Sequence, residues 1–486
     1  MIADPSTPLR TSFKPYPATK DSGVPWLGEV PEHWEVLPAL AAYKPKLVKN
    51  TGMAEKTVLS LSYGHIIVKP PEKLRGLVPE SFETYQIVNP GNIIVRTTDL
   101  QNDHTSLRIG HSKNRGIITS AYMCLETTDR VSNEFGYQFL NTYDLLKIIY
   151  GFGSGLRQNL DFVDIKRMPV LVPPKNEQAT IVRFLNHYDR KIRRYIRAKQ
   201  KLIKLLEEEK QAIIHHAVTR GLDPNVRLKP SGVEWLDDIP EHWEVKRLKT
   251  LVIESVAGPY GSSLTKAMYT SSGYRVYGQQ QVIPDNFSIG DYYISAEKYQ
   301  EMVRYRILPG DVLISVMGTV GRVAVVPETA EPGIINPRLV RYRPNLEKVN
   351  PRYLQLAILS PTAQAQLGGG AKGTTMEGLN MQILGRLLLV IPPLKEQQAI
   401  LSNVAANTKQ IQKVIDAESR NVSFLREYRT RLIADVVTGK LDVREAAELL
   451  PAEIEEIEIH EEADAFTEEE AGEADNLDAI SEEVEA

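Results

Sequence analysis

The stretch KNEQATIVRFLNHYDRKIRRYIRAKQKLIKLLEEEKQAIIHHAV, residues 175–218, contains neither glycine nor proline. Pro173-Pro174 precede it and Gly221 follows it, and these residue types start and stop helices. Its apolar side chains recur about every 3.5 residues, with polar interruptions. The stripe consists of Ile181, Leu185, Tyr188, Ile192, Tyr195, Lys199, Leu202, Leu206, Glu209 and Ile213. The pattern predicts one long helix that buries this stripe against another helix.

A second stretch of the same kind begins 219 residues later, between Pro392-Pro393 and Gly439. At the same offsets its stripe consists of Ile400, Val404, Asn407, Ile411, Val414, Glu418, Asn421, Leu425, Tyr428 and Leu432. Either helix alone would expose its stripe to water, so the economical prediction is that the two helices pair with each other. Lys199 and Glu418 interrupt the stripes at equivalent places. A parallel pair, which the connection disfavours, or an antiparallel pair centred on its midpoint would bring them together; the alternative is that both point to solvent.

The rest of the chain is also duplicated. DSGVPWLGEVPEHWEV (21–36) returns as PSGVEWLDDIPEHWEV (230–245), and NPGNIIV (89–95) returns as LPGDVLI (308–314). VPPKNEQATI (172–181) returns as IPPLKEQQAI (391–400), and VTRGLD (218–223) returns as VTGKLD (437–442). Four matched segments in the same order indicate two duplicated units, each a domain followed by a helix.

Each unit begins with mixed structure before its long helix. The predicted strands are 58–61, 93–95, 117–119 and 170–172 in the first unit, and 312–316, 322–326, 339–342 and 387–391 in the second. The predicted helices are 135–149 and 351–366. Strands clustered with one or two helices favour an α+β fold class.

Composition narrows the class of protein. The chain has 486 residues, of which 42% are apolar and 25% are charged, as in ordinary globular proteins. The single cysteine, Cys124, excludes an internal disulfide and a cysteine-rich zinc site, and fits a reducing compartment. The sequence contains no secretory signal and no apolar run of membrane-spanning length. We therefore expect a soluble protein of the cytoplasm.

The net charge of -4 conceals an uneven distribution. Residues 445–486 hold 18 of the 62 acidic residues and no lysine or arginine, which leaves residues 1–444 with a charge of +14. A basic body favours a polyanionic partner such as nucleic acid. The alternative is a well-solvated surface.

Polar clusters in the predicted loops are candidates for contacts with DNA. Two glycine-rich stretches, 151–159 and 368–378, would let backbone amides approach phosphates, and glutamine, asparagine and arginine can pair with base edges. The candidate residues are Arg96, Thr98, Gln101, Asn102, Lys113, Arg115, Arg157, Gln158, Ser262, Ser263, Gln279, Gln280, Arg322, Lys372, Thr374 and Thr375. The glycine-rich stretches are equally well explained as flexible loops, and any single polar residue is better explained as ordinary surface.

Signatures of catalysis are missing from the sequence. Asn-Pro occurs at Asn89, Asn336 and Asn350, but never in the Asn/Asp-Pro-Pro-aromatic motif of amino-methyltransferases. No His/Cys cluster has metal-ligand spacing, and no serine nucleophile elbow is present. The duplicated Glu-His-Trp motif, at 32–34 and 241–243, suggests acid–base chemistry, but its flanking prolines favour a packed structural segment. The Glu-Gln pairs at 177–178 and 396–397 fall in the first helical turn, where a carboxylate is favoured by exposed amides.

Two variable domains, each closed by PP-x-x-EQ and a long helix ending in VTRGLD or VTGKLD, resemble the specificity subunit of a Type I restriction–modification enzyme. GPYGSSLTKAMY (258–269) and PGDVLISVMGTVGRVAVV (309–326) are similar to target-recognition domains of that family. The resemblance covers about residues 22–442 and departs in the first domain, where RTTDL (96–100) replaces the family-like SVMGTVG.

The resemblance implies a non-catalytic, DNA-binding subunit with two α/β target-recognition domains, each reading half of a split site in double-stranded DNA. The two long helices would form an antiparallel spacer in a pseudo-two-fold repeat. They would dock two methylation subunits, which alone would carry S-adenosylmethionine, and they leave room for restriction subunits. The expected subunit-interface residues are Glu177, Gln178, Ile181, Leu185, Ile192, Glu396, Gln397, Ile400, Val404 and Ile411.

The expected domain boundaries follow from the repeats. They are an N-terminal arm at 1–21, target-recognition domain 1 at 22–172, the first helical spacer with its linker at 173–230, target-recognition domain 2 at 231–391, the second helical spacer at 392–444 and a disordered acidic tail at 445–486. The other interpretation is a two-lobed coiled-coil scaffold that binds another protein or RNA. A methyltransferase encoded beside this chain would favour the DNA-specificity interpretation.

Overall fold

The chain contains two similar halves, in each of which a domain of strands and short helices precedes one long helix. The computed structural model describes residues 13–70, 81–98, 100, 106–152, 159–234, 236–371 and 379–451. The chain divides into two units, Met1–Ala198 with Arg420–Ala486 and Lys199–Ser419. Each unit contains one α/β domain and one half of each long helix, so the predicted fold class is confirmed.

Within the described residues the helices, in chain order, are α1 (Ala39–Ala42), α2 (Asn133–Leu145), α3 (Phe162–Ile165), α4 (Lys175–Arg220), α5 (Gln279–Val282), α6 (Ala296–Glu301), α7 (Pro351–Ile358), α8 (Pro361–Ala371), α9 (Met381–Arg386), α10 (Leu394–Val437) and α11 (Arg444–Glu448). The strands of the first unit are β1 (Thr19–Asp21), β2 (Glu29–Pro31), β3 (Glu35–Pro38), β4 (Tyr43–Lys46), β5 (Leu59–Ser62), β6 (His65–Val68), β7 (Gln86–Val88), β8 (Ile93–Val95), β9 (Ile109–His111), β10 (Gly116–Ile118), β11 (Met123–Thr127) and β12 (Pro169–Val172). Those of the second are β13 (Leu228–Lys229), β14 (Ile239–Pro240), β15 (Glu244–Arg247), β16 (Val252–Ala257), β17 (Tyr274–Tyr277), β18 (Tyr293–Ile294), β19 (Val312–Ser315), β20 (Val323–Val325), β21 (Gly333–Ile335), β22 (Leu339–Pro344) and β23 (Leu388–Ile391).

The first domain is built on a six-stranded sheet in the order β4-β11-β8-β9-β6-β5. Strand β8 is buried along its whole length, as expected for three consecutive β-branched residues. Helix α2 covers the sheet with Phe135 and Phe139, which are fully buried. Its start is fixed by Ser132, whose side chain accepts a hydrogen bond from the Phe135 amide. The buried core of the unit continues from this sheet to the long helices.

The second domain has two sheets, β16-β22-β19-β20 and β18-β17-β21. Strand β19 corresponds to β8 at an offset of 219 residues and is likewise fully buried. The same closing ladder ends both domains, because β12 pairs with β3 and β23 pairs with β15, both antiparallel. The strand that leads into each long helix is therefore held by the strand that follows the Glu-His-Trp motif.

Helix α4 extends two residues beyond its predicted stretch of 175–218, whereas α10 lies within the predicted run between Pro393 and Gly439. They cover Lys175–Arg220 and Leu394–Val437 and run antiparallel within each unit. In the second unit Lys210 bonds to Gln412, and Lys199 bonds to Glu418. In the first unit Asp189 receives a hydrogen bond from Arg429.

The predicted stripe on α10 is wrong at three positions. Thr408, Ile415 and Val422 are buried where Asn407, Val414 and Asn421 were predicted. The buried positions keep the seven-residue spacing, but each is displaced by one residue, so Asn407 and Asn421 remain exposed. On α4 the predicted Leu202 is 40% exposed, which removes it from the seam.

The predicted contact between Lys199 and Glu418 is confirmed, since Nζ lies 2.5 Å from Oε2 and both side chains are about four fifths buried. We expect either charge reversal alone to destabilise the second unit and Lys199→Glu with Glu418→Lys to restore much of the loss. A double-mutant cycle on the free energy of unfolding should give a coupling of about 1 kcal/mol. A coupling of zero would mean that the pair contributes nothing beyond its two separate side chains.

One predicted helix is wrong in its length. Residues 351–366 form two helices, α7 and α8, separated at Leu359-Ser360. Pro361 has no amide hydrogen to continue α7, and the Ser360 hydroxyl instead accepts a hydrogen bond from the Ala363 amide. Each of the eight predicted strands overlaps an observed one.

The beginning of the predicted acidic tail is folded. Helix α11 spans Arg444–Glu448 and buries Ala447 in the core of the first unit. Structure therefore continues seven residues past the predicted boundary, to Pro451. Residues 452–486, where disorder was predicted, lie outside the described residues.

Candidate nucleic-acid interface

The Glu-His-Trp motif of the first unit ties the start of one long helix to the end of the other. Glu177, in the first turn of α4, accepts hydrogen bonds from Trp34 Nε1 at 3.1 Å and from the Tyr16 hydroxyl at 2.6 Å. His33 Nε2 lies 2.7 Å from the same carboxylate. Beyond the end of α10, Gly439 has a φ of +75°, and an added Cβ would lie 3.1 Å from the Trp34 ring and 2.3 Å from Pro31. The indole therefore packs between both helix ends.

The second unit has the same arrangement with the two helices exchanged. We call each arrangement, in which the tryptophan of a Glu-His-Trp motif packs between two helix ends, a clamp. Trp243 Nε1 donates to Glu396, in the first turn of α10, at 2.9 Å, and His242 Nε2 lies 2.7 Å from that carboxylate. Gly221, beyond the end of α4, has a φ of +76° and packs against the Trp243 ring. The structural interpretation of the Glu-His-Trp motif is confirmed in both copies.

Most of the residues predicted to form a subunit interface make their contacts within their own units. Gln178 and Gln397 are buried; Gln178 accepts from the Ser132 amide and Gln397 from the Asn350 amide. The buried apolar members are Ile181, Leu185, Ile192, Ile400 and Val404. Glu396 and Ile411 are half-buried. These side chains hold each domain to its helices.

The predicted contact residues of the second domain gather at one end of its sheets. Gly258 follows β16 and donates to the carbonyl of Leu339, at the start of β22. Arg322 precedes β20 and donates from its amide to Ser315 Oγ, at the end of β19. Gln279 follows β17. Antiparallel pairing and a parallel β17–β21 pair bring all these termini to the same end.

Asn336 connects two of these segments. Its amide donates to the Tyr277 carbonyl at 2.8 Å, and its carbonyl lies 1.9 Å from where a Cβ of Gly258 would be. Only glycine permits this approach at 258, so the turn that carries Ser262 and Ser263 is held beside the start of α5. Sequence reasoning considered Asn336 only as part of an absent methyltransferase motif and missed this role.

The glutamines of α5 divide between the interior and the surface. Gln279 is buried and donates to the carbonyls of Met317 and Thr319, and Gln281 is buried against the Gly278 amide and the Ile289 carbonyl. Gln280 is exposed, as are Ser262, Ser263 and Arg322. Gln279 therefore shapes the loop at 316–321, whereas the exposed four are available to a ligand.

The first domain has an equivalent arrangement at the end of β8. The Leu160 amide donates to the Thr97 carbonyl at 2.9 Å, and 219 residues later the Leu379 amide donates to the Val316 carbonyl at 2.8 Å. In both domains the loop after the central strand is thus bonded to the residue that follows the glycine-rich stretch. We call these two regions the loop ends; they comprise 96–98 with 159–160, and 316–322 with 379. Gln101, Asn102, Arg157, Gln158, Lys372, Thr374 and Thr375 lie outside the described residues.

Arg108 and Tyr150 hold the first loop end in place, and neither was among the predicted residues. Buried Arg108 donates to the Thr98 carbonyl at 2.7 Å and to the Tyr150 hydroxyl at 2.9 Å. Arg96 and Thr98 are half-buried there. The internal repeat was the signal that could have found the loop end, because Thr97 and Val316 occupy matching positions.

Lys113 and Arg115 lie at the opposite end of the first sheet. Strands β8 and β9 are antiparallel with Ile93 opposite His111, so the turn after β9 is beside the start of β8. Both side chains are exposed, and Arg115 contacts Glu55 and Asn89. The structure therefore separates these two predicted residues from Arg96 and Thr98.

A buried charge network underlies the second domain's sheet. Asp311, of the duplicated Pro-Gly-Asp/Asn motif, is 1% exposed and accepts two hydrogen bonds from Arg343, at 2.9 and 3.0 Å. Glu254 bridges Arg343 and the buried Arg341, and the hydrogen bond from Arg341 holds the pKa of Glu254 below its usual range. Asp311 also accepts from the Leu308 amide, as Asn92 does from the Asn89 amide in the first domain.

Burial and nearby cations hold the pKa of His65 at about 4, the cations being Arg193 and Arg429. The unfolded chain would protonate this ring near 6.5, so the unfolded state binds more protons between pH 6.5 and 4. We therefore expect the free energy of unfolding of the first unit to fall as the pH falls through this window. His65→Gln should make that fall shallower, as followed by denaturant unfolding at several pH values. His216→Gln, at an exposed histidine, serves as the control; an unchanged slope in His65→Gln would contradict the assignment.

Within the described ranges, no three His, Cys, Asp or Glu side chains are grouped so that they could hold a metal ion. Among the helices of the described part of the chain, none is both long and apolar enough to cross a bilayer.

The sequence is similar to those of known proteins. A family model described as Type I restriction modification DNA specificity domain matches residues 61–205 and 240–418, more than half of the chain. The chain is similar to the Type I restriction enzyme MjaVIII specificity subunit of Methanocaldococcus jannaschii, at 22% identity over 349 residues that cover 68% of this chain and 75% of that protein. It is also similar to the Type I restriction enzyme EcoBI specificity subunit of Escherichia coli, at 25% identity over 158 residues, 32% of each chain.

A solved structure shares the fold. It is described as "Structural basis underlying complex assembly and conformational transition of the type I R-M system", and the match covers 85% of this chain and 99% of that chain with a TM-score of 0.58. At 16% sequence identity, the likeness concerns the fold alone.

Proposed function

This chain belongs to the Type I restriction–modification DNA specificity family, and we propose from that membership that each of its two domains reads one half of a split DNA site. Specificity subunits of this family are non-catalytic parts of restriction–modification complexes. Methyl transfer from S-adenosylmethionine would therefore take place on partner methylation subunits. The complex would act in the cytoplasm on double-stranded DNA.

The observation that carries the proposal is the repeated loop end. In each domain one backbone hydrogen bond, Leu160 to Thr97 or Leu379 to Val316, joins the loop after the central strand to the end of the glycine-rich stretch. Polar and basic side chains with few internal partners, such as Gln280 and Arg322, are the types that contact base edges and phosphates. Because the loops differ in sequence between the domains, the two half-sites should differ too.

The long helices would provide the docking surface for two methylation subunits, and restriction subunits would join the same complex. Since the predicted interface residues are mostly buried, the docking contacts would come from exposed apolar side chains of each unit. Phe424 on α10 in the first unit is 64% exposed, and Leu205 and Leu202 on α4 in the second are 53% and 40% exposed.

Exchange of a domain tests the proposal. Residues 22–172 would be replaced by the corresponding domain of another family member and the chain co-produced with its methylation subunits. Sequencing that detects methylated bases should then show one half of the motif changed and the other half retained. Exchange of residues 231–391 is the matched experiment and should change the other half. If either exchange altered both halves together, the two domains would not read independently.

A further inference from the structure

We propose that the acidic segment 452–486 docks on a basic face of α4 formed by Arg183, Arg190, Lys191 and Arg194. This contact is made within one chain, and it does not depend on the proposed function. The segment would cover a surface that otherwise attracts polyanions without regard to sequence.

The structure delivers the start of this segment to the basic face. Arg183 Nη2 donates to the carbonyls of Leu450 and Pro451, at 2.7 and 3.2 Å. Helix α11 holds the chain just before this point, because Ala447 is buried and Leu450 packs against the core of the first unit. The described part of the chain therefore ends at Pro451, beside the first member of the basic face.

The four cations share one side of α4. Residues 7, 8 and 11 positions beyond Arg183 lie within about one quarter-turn of it on a helix. Arg183 and Arg194 are exposed, and Arg190 and Lys191 are half-buried. His187 lies among them: burial, and then the positive charges of Lys191, Arg190 and Arg183, hold its pKa below the usual range.

No acidic residue of this part of α4 is available to balance these charges. Between Gln178 and Leu206 the helix has one carboxylate, Asp189. That carboxylate is bonded by Arg193 at 2.8 Å and by Arg429. A carboxylate that balances Arg183, Arg190 or Lys191 therefore comes from outside this part of α4.

Residues 452–486 have the required charge and reach. They contain 16 acidic residues and no lysine or arginine, and six of these acids fall within 452–462. The distance along α4 from Arg183 to Arg194 is roughly 17 Å, which about five extended residues can span. Single surface ion pairs are weak, but a tethered segment binds at a high effective concentration, so several pairs together suffice.

Zero-length coupling with a carbodiimide tests this contact in the full chain, because the reagent joins an amine only to a carboxylate that touches it. At high dilution, mass spectrometry should show Lys191 Nζ joined to a carboxylate within 452–486. The variant Arg190→Glu with Arg194→Glu keeps Lys191 and Arg183 and should lose most of this product. The variant Lys409→Glu with Lys413→Glu makes the same charge change at exposed positions of α10 and should keep it.

Three results would overturn the proposal. The first is coupling of the segment to Lys191 no more often than to Lys409 and Lys413 in the unaltered chain. The second is undiminished coupling in Arg190→Glu with Arg194→Glu, provided that its circular dichroism and hydrogen exchange match those of the unaltered chain. The third is coupling found only in cross-linked dimers, which would assign the basic face to a second copy of the chain.

Discussion

Replacing Trp34 by alanine should remove about 3 to 5 kcal/mol of stability from the first unit. The ring is fully buried between the start of α4 and the end of α10, and its Nε1 is one of the donors to the buried Glu177 carboxylate. Alanine would leave a cavity at both helix ends and reduce the hydrogen bonding of that carboxylate. Hydrogen exchange resolved by peptide should show lost protection at 175–185 and 430–440, with residues of the second unit unchanged.

Two variants separate the causes of that loss. Trp34→Phe keeps an aromatic ring in the site but removes the Nε1 donor and part of the indole volume, so it should cost about 1 to 2 kcal/mol, less than the alanine variant. Trp26→Ala removes the same residue type at a position that is 45% exposed, and should cost much less. Equal losses of stability in Trp26→Ala and Trp34→Ala would show that the clamp has no special role.

Replacing Asp311 by alanine should destabilise the second unit by about 3 to 5 kcal/mol. It would leave the buried Arg341 and the half-buried Arg343 with Glu254 as their carboxylate partner among the described residues, and would remove the acceptor for the Leu308 amide. Asp311→Asn should cost less, because an amide oxygen can still accept that turn bond, as Asn92 does in the first domain. Denaturant unfolding monitored by hydrogen exchange in the second unit measures both.

Asn92→Ala is the control for the turn alone. It removes the corresponding bond to the Asn89 amide without removing a charge, and should cost about 1 kcal/mol in the first unit. If Asp311→Ala were no more harmful than Asn92→Ala, the arginine network would contribute nothing to stability.

The long helices could be predicted because their determinants are local. A run without glycine or proline, bounded by Pro-Pro and Gly, specifies a helix wherever it is placed. The packing positions on α10 were less predictable. Thr408, Ile415 and Val422 are seven residues apart, but each lies one residue beyond the position that the pattern predicted. The division of 351–366 could also have been predicted, because Pro361 lacks the amide hydrogen that would continue the first helix.

The clamps depend on contacts between distant segments. Both the Glu-His-Trp and the Pro-Pro-x-x-Glu-Gln motifs are visibly duplicated. However, Trp34 and Glu177 are 143 residues apart, and neither motif by itself indicates that it contacts the other. The placement of the loop ends also depends on contacts between distant segments. Arg96 and Lys113 look equivalent as loop cations, and only the antiparallel pairing of β8 and β9 reveals that they lie at opposite ends of the sheet.

The two units are completed at different times during synthesis of the chain. The second unit is one continuous segment, Lys199–Ser419, whereas the first needs Arg420 and the residues beyond it to complete its core. At about 5 to 20 residues per second, the ribosome adds the 221 residues of the second unit over roughly 10 to 45 s. During that interval the side of α4 that awaits Leu425 and Leu432 is exposed, so the domain synthesised first is the last to be completed. A nascent chain should therefore recruit chaperones, or a partner subunit, at its N-terminal domain before its C-terminal helix emerges.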